Sequence, residues 1–383
     1  MPDDYHSEPA ARDDAPVHAA PAADWVEAPP FQRPGAPHPD HVDGGRYFWL
    51  ADCQMRWTGA DCQTYSRTIT EVVGPAGLQD TAQIDVDFDP AYERLVFNHI
   101  RVIREGAVRD VDPAAILSVF RRERDLERAL YDGRLTAHLV VPDLRVGDVL
   151  DVGRTVTGHP PILAGGLTAD WRFEWGCWVG ETRVRLLTSA DAPLEFQSWN
   201  GAPDAATREI EGGFREHVWI ARATPPGHSE PEIPGWVRYA AGVRATTPMA
   251  WSQVADTFRG YYAAEALPAD LKTEIDAVTA ANPDPASRAV ALLRRVQQTL
   301  RYQAVSIGDG GFIPRPLAKI WAVRAGDCKD ASRLLTAMMT EAGLDACPAL
   351  VNTYRGWALR DEAASLTAFN HCIVRLRMDG TSY

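Results

Sequence analysis

The residues best placed to do chemistry lie in Arg324-Ala325-Gly326-Asp327-Cys328-Lys329-Asp330. Leu334, Leu335, Met338 and Met339 follow at helical spacing, which predicts a helix over Asp330 to Ala342 with Gly343 as its C′ residue. Cys328 then stands at a helix N-terminus, where peptide dipoles and unpaired N–H groups favour an anion. That placement is expected to lower the thiol pKa and raise the thiolate population at neutral pH. The same N–H groups would serve a developing oxyanion, and Gly326 would permit the sharp turn into the helix. Lys329 adds positive charge while Asp327 and Asp330 oppose it, so the cysteine needs a base.

His371 is the candidate. In His371-Cys372-Ile373-Val374-Arg375-Leu376-Arg377-Met378, period two puts Cys372, Val374, Leu376 and Met378 on one apolar face. His371, Ile373, Arg375 and Arg377 share the other. Cys372 is therefore expected to pack in a core and His371 to face a cleft. A helix-start Cys with a strand His is a workable thiol–imidazole pair. The competing reading is a Cys that simply packs. Zinc held by Cys328, Cys347, His371 and Cys372 is a further reading, but the spacing matches no compact zinc motif and adjacent strand residues point apart.

These residues must be positioned by elements, and the chain divides into four stretches. Residues 1–45 are rich in Pro, Ala, Asp and His and are expected to form a flexible tail. Residues 46–223 read as β-rich: Gln83 to Asp89 alternates apolar with acidic, and Leu95 to Ile103, Leu135 to Val141, Val149 to Val156, Arg183 to Thr188 and Arg215 to Ile220 add short strands. Ile116 to Tyr131 reads as a short amphipathic helix or an arm. Trp171, Phe173, Trp175 and Trp178 offer a carbohydrate platform or, more simply, alternating core and surface positions. Residues 224–238 are a Pro-rich linker. Residues 239–383 turn helical, with helices expected at Met249 to Tyr262, where Ser252 lies near the start, and at Ala286 to Tyr302, where Val290, Leu293, Val296 and Leu300 form the stripe. Strands at Cys347 to Asn352 and His371 to Met378 close the chain. The expected class is α+β, with an antiparallel, sandwich-like β-rich N-terminal domain.

The charge balance narrows the partners. There are 39 basic and 52 acidic residues, a formal net charge of -13. An acidic surface with no long Lys/Arg run disfavours nucleic acid and anionic membranes. No apolar run approaches the roughly 20 residues that span a bilayer. Met1-Pro2-Asp3-Asp4 has no cationic n-region or apolar h-region, so a cytoplasmic location is expected, with export left open. The six cysteines show no CxxC pair and are expected to be free thiols, with a Cys53–Cys62 bridge as the alternative for an exported protein.

Several motifs stand in order: Leu300-Arg301-Tyr302-Gln303, Gly308-Asp309-Gly310-Gly311-Phe312-Ile313-Pro314, Gly326-Asp327-Cys328-Lys329-Asp330, Ala342-Gly343-Leu344-Asp345-Ala346, Ala349-Leu350-Val351-Asn352-Thr353 and Phe369-Asn370-His371. Together they resemble the transglutaminase-like superfamily of papain-type fold, in its bacterial branch with an N-terminal DUF3857 domain. Phe88-Asp89-Pro90, Val102-Ile103-Arg104-Glu105-Gly106, Tyr131-Asp132-Gly133 and Val146-Gly147-Asp148-Val149-Leu150 resemble the DUF3857 pattern. The resemblance spans residues 47 to 383. It implies acyl transfer on peptide or side-chain amides through a Cys328 thioester, with His371 as general base and then general acid. Water as acceptor gives a protease or amidase, and an amine gives crosslinking. Gln303 and Tyr302 are possible oxyanion support. No metal or organic cofactor is implied, and the partner is a peptide or protein substrate. The family's orienting Asp lies on the strand after the His strand, which here would fall past Tyr383. Asp379 belongs to an Asp-Gly turn. The chain is thus expected to be C-terminally incomplete, with a pseudoenzyme as the alternative and Asp327, Asp330 and Asp361 as substitutes. The rival function is a non-catalytic protein- or ligand-binding module on the same scaffold.

Overall fold

The computed structural model describes residues 15–122, 130–227, 230 and 232–383. The chain is a mixed, strand-rich protein whose N-terminal part is β-rich. Among the described residues, nine strands make one large sheet, whose central order is Arg94–Arg104, Val149–Thr157, Cys62–Val72, Arg46–Trp57, Val179–Ser189 and Phe214–Thr224. Neighbours are antiparallel, except that Arg46–Trp57 and Val179–Ser189 run parallel. Two three-stranded sheets bear on it. Gln83–Phe88, Leu135–Val140 and Leu117–Arg121 bury Phe88 and Leu139 against Phe97 and Val152. Thr168–Arg172, Gly242–Thr246 and Glu195–Trp199 bury Trp171 and Val243 against Leu186 and Trp219.

Alternation explains the layering and one slip in it. Leu95 and Phe97 face the core, but so do Ile100 and Val102. The two pairs are out of phase because the register against Val149–Thr157 shifts opposite Asn98. This bulge turns His99 to the other face of the sheet, where it lies 3.0 Å from Asp151. That other face is polar and buried. Arg67 holds Asp151 with two bonds of 2.8 Å, and Arg185 holds Glu216.

The cover over this face corrects an expectation. Of the flexible tail 1–45, residues 1–14 lie outside the described residues, and the rest is ordered onto the sheet. Val17–Ala19 pairs with Arg94–Arg104. The Pro29 carbonyl accepts from Arg67 at 2.7 Å, the Trp25 carbonyl from Arg185 at 2.7 Å, and Glu27 exchanges two backbone bonds with Gln54. Buried charges need these acceptors, and polar composition concealed the segment's role. Other expectations resolve in different ways. Ile116 to Tyr131 is not one helix: Pro113–Ile116 is a single turn, Leu117–Arg121 is a strand, and 123–129 lie outside the described residues. Cys53 and Cys62 are both free, facing Ser66 and Trp57. Trp171, Phe173 and Trp178 are buried core residues and Trp175 is exposed.

Gly242–Thr246 lies inside the stretch expected to turn helical, yet it is the middle strand of a sheet in the β-rich part. Beyond it, helices Ala269–Ala281, Pro285–Thr299, Leu317–Val323 and Cys328–Glu341 bury Leu271, Leu292, Ile320 and Leu334 in one core with Leu376. The Pro285–Thr299 helix presents Ala289, Leu292 and Val296 to that core, whereas Val290 and Leu293 face outward. Both stripes have helical spacing, and only the packing partner distinguishes them. Strands Asp345–Val351, His371–Met378 and Thr381–Ser382 form a sheet against the Cys328–Glu341 helix.

Candidate functional site

The Leu317–Val323 helix ends on Arg324 in a left-handed conformation. Ala325–Gly326 then pairs in parallel with Arg301–Tyr302, and the Gly326 carbonyl accepts from the Gln303 N–H at 3.0 Å. This short ladder sets Tyr302 beside the start of the next helix. Asp327 caps that helix, its carboxylate accepting from the N–H groups of Lys329 and Asp330 at 2.9 and 3.2 Å. Cys328 is the first helical residue, two positions earlier than the sequence expectation for the helix start.

Gly326 is needed for room rather than for a special backbone angle. A Cβ there would lie 2.6 Å from the Asp330 Cβ and 3.1 Å from an Arg315 nitrogen. Asp330 is packed into that space. It accepts from the Arg315 N–H at 2.8 Å and from its guanidinium at 2.7 and 2.9 Å.

His371 opens the strand that faces the helix, across from Val351. Ser332 donates to the Cys372 carbonyl at 3.1 Å, which ties helix and strand together one turn beyond Cys328. Cys328 and His371 consequently line one small cavity of about 50 Å³, walled by Phe258, Phe312, Leu350 and Phe369. A cavity of about 730 Å³ shares Phe258, Leu350 and Phe369 with it. The backbone N–H of Cys372 approaches the Cys328 sulfur, and the Tyr302 hydroxyl approaches both the Cys328 thiol and its N–H.

The electrostatics reverse one expectation. The Cys328 thiol is held above its ordinary pKa: burial is the main cause, the Asp327 carboxylate adds to it, and Lys329 opposes it. A helix start alone does not make a thiolate when the sulfur is buried beside a carboxylate. Burial also pushes up Cys372, whose sulfur accepts from the Tyr262 hydroxyl at 3.3 Å.

The sequence-derived residues are thus brought together unequally. Cys328 and His371 share a cavity, and Tyr302 touches Cys328. Gln303 joins by its backbone, and its side chain makes no hydrogen bond among the described residues. Asp327 is spent on the cap and Lys329, and Asp330 on Arg315. Asp361 is exposed near Arg360, and Asp379 sits in the hairpin turn at φ 48°. Among the described residues, no carboxylate is hydrogen-bonded to the His371 ring. Cys347 lies across from Arg375 and does not join the other three zinc candidates, and no group of three or more metal-ligating side chains lies together among the described residues. Sequence reasoning missed Phe258, Phe312 and Tyr262. Phe312 lies within the Gly308–Pro314 motif, Phe258 on the Trp251–Tyr261 helix and Tyr262 just after it, where no chemical signature marks them. Among the described residues, no helix is long and apolar enough to cross a membrane.

Comparison with known proteins adds the following. Residues 61–227 match DUF3857, a domain of unknown function with a solved structure. Among solved structures, a "putative protease" from Parabacteroides distasonis superposes with a TM-score of 0.71 at 14% identity, covering 89% of this chain and 67% of that one. That likeness establishes a shared fold. An M1 zinc metallopeptidase from Deinococcus radiodurans matches over 53% of this chain and 42% of that one at 12% identity, with a TM-score of only 0.31. No curated protein matches significantly.

Proposed function

We propose that residues beyond the Gly242–Thr246 strand form a transglutaminase-like domain, and that it performs thiol-dependent acyl transfer on amides. The single observation behind this is that Cys328, at a helix start, and His371, at a strand start, line one cavity. The "putative protease" sharing the fold supports the same reading. His371 removes the Cys328 proton as the sulfur attacks the amide carbonyl. The carbonyl π electrons move onto oxygen, and the N–H of Cys328 and the Tyr302 hydroxyl, which lie close to one another, are the candidate donors to that charge. Collapse breaks the C–N bond, and the imidazolium gives its proton to the leaving amine. Water or a second amine then resolves the thioester, with His371 again taking a proton. The cavity of about 730 Å³ offers room for the flanking part of a peptide.

The elevated thiol pKa makes the base indispensable in this scheme. A raised pKa equally suits a binding module that has no use for a thiolate, which is the second reading. Alkylation of the full chain by iodoacetamide near neutral pH separates them. Catalysis predicts that His371→Ala strongly slows labelling of Cys328 while leaving that of Cys347 unchanged. Labelling of Cys328 that is indifferent to His371 would leave the binding module.

A further inference from the structure

Away from the thiol, four arginines converge where the Gly242–Thr246 strand meets segments 233–240 and 354–362. Arg244 holds both oxygens of Asp170 at 2.6 and 2.7 Å and donates to Glu362 at 2.7 Å. Glu362 also takes Arg238 at 3.0 Å and Arg355. Arg172 is exposed and has no ion-pair partner among the described residues. Four guanidinium groups against Asp170 and Glu362 leave an excess of two positive charges in a cavity of about 430 Å³. Burial, with Arg244 and Arg355 nearby, pulls the Arg238 pKa down against the pull of Glu362. An internal structural joint has no need of surplus charge.

Aromatic surface accompanies the charge. Arg238 stacks on Trp199 at 3.7 Å, Tyr239 and Tyr354 line the cavity, and Tyr354 is 66% exposed. Trp236, between lining residues Gly235 and Val237, is also exposed. Trp, Tyr and Arg are the residues that carry most binding energy in protein interfaces. The chain as a whole is acidic, but screening over about 8 Å at physiological salt leaves the local excess to decide what docks.

We propose that this cavity docks an acidic peptide segment carrying an aromatic residue. Arg172 and Arg238 take its carboxylates, and Tyr239 and Tyr354 take its ring. A lone small oxyanion would leave most of the volume and all of the aromatic surface unused. The site does not depend on the thiol chemistry proposed above.

The test is fluorescence anisotropy of a fluorescein-labelled peptide of alternating glutamate and tyrosine, with the full chain at about 0.15 M salt. Binding is expected, and Arg172→Gln and Tyr354→Ala should each weaken it by about tenfold or more, the loss of one well-packed anchor. Arg172→Lys should restore part of it, and a lysine–tyrosine peptide should not bind. Both substituted side chains are exposed, so folding is preserved, and an unchanged thermal midpoint checks this. No binding to the wild-type chain, or equal binding by both variants, overturns the proposal. So does displacement by inorganic phosphate combined with indifference to Tyr354→Ala, which would mark a small-anion site.

Discussion

The ionisation of Cys328 is set by opposing influences. The helix start favours a thiolate, while burial and the Asp327 carboxylate oppose it, and opposition prevails. Its alkylation rate is therefore expected to go on climbing above pH 9, where an ordinary thiol would be levelling off. Asp327→Asn separates the causes, because asparagine caps a helix about as well as aspartate. The variant should label faster at pH 8 by a few-fold while leaving the helix intact, as read by iodoacetamide kinetics and circular dichroism. An unchanged rate would mean that burial alone sets the thiol. The histidine and cysteine were legible from their places in helix and strand patterns. The sign of the thiol's shift was not, because sequence shows that Asp327 is adjacent but not that the sulfur is buried with it.

The element that makes this possible is the join between the Ala325–Gly326 ladder and the Cys328–Glu341 helix. Asp330 anchors it, almost fully buried and held by Arg315 through side chain and backbone. Asp330→Ala removes the buried carboxylate that accepts from Arg315 and should cost about 1–3 kcal/mol in urea unfolding. Gly326→Ala should destabilise by about 1–3 kcal/mol, because the new Cβ meets the Asp330 side chain rather than open space. At this scale the sequence was read well where one periodicity ruled. His371–Met378 has the expected faces, and the Cys328–Glu341 helix buries the expected Leu334, Leu335, Met338 and Met339. It was misread where two patterns fit equally, as with Val290 against Ala289 on the Pro285–Thr299 helix. It was also misread where a strand finds its partners far away in the chain, as Gly242–Thr246 does. Periodicity reports which side of an element is apolar, and long-range pairing leaves no local trace.

Across the whole molecule, the segment from Val17 to Arg33 is a lid over charges. It supplies carbonyl acceptors to Arg67 and Arg185 and brings Arg33 to within 2.7 Å of Glu71. Under it, Asp151 is buried, yet Arg67 and His99 outweigh burial and hold its pKa down at about 2. A depressed carboxylate pKa contributes stability above the unfolded value near 4 and loses it as pH falls toward 2. The shift is worth about 2 kcal/mol, so acid unfolding of the β-rich part should steepen in that window. Coverage and charge are coupled, and a double-mutant cycle measures how strongly. In the full chain, Asp151→Asn strands a buried arginine and should cost about 3–5 kcal/mol. Deleting residues 1–33 lets water reach Arg67, and the same substitution should then cost about 1 kcal/mol or less, as for an exposed pair. The difference, read from urea midpoints of the four proteins, should be a coupling of at least about 2 kcal/mol. Additive effects would show that the sheet alone encloses these charges and that the segment merely rests on it.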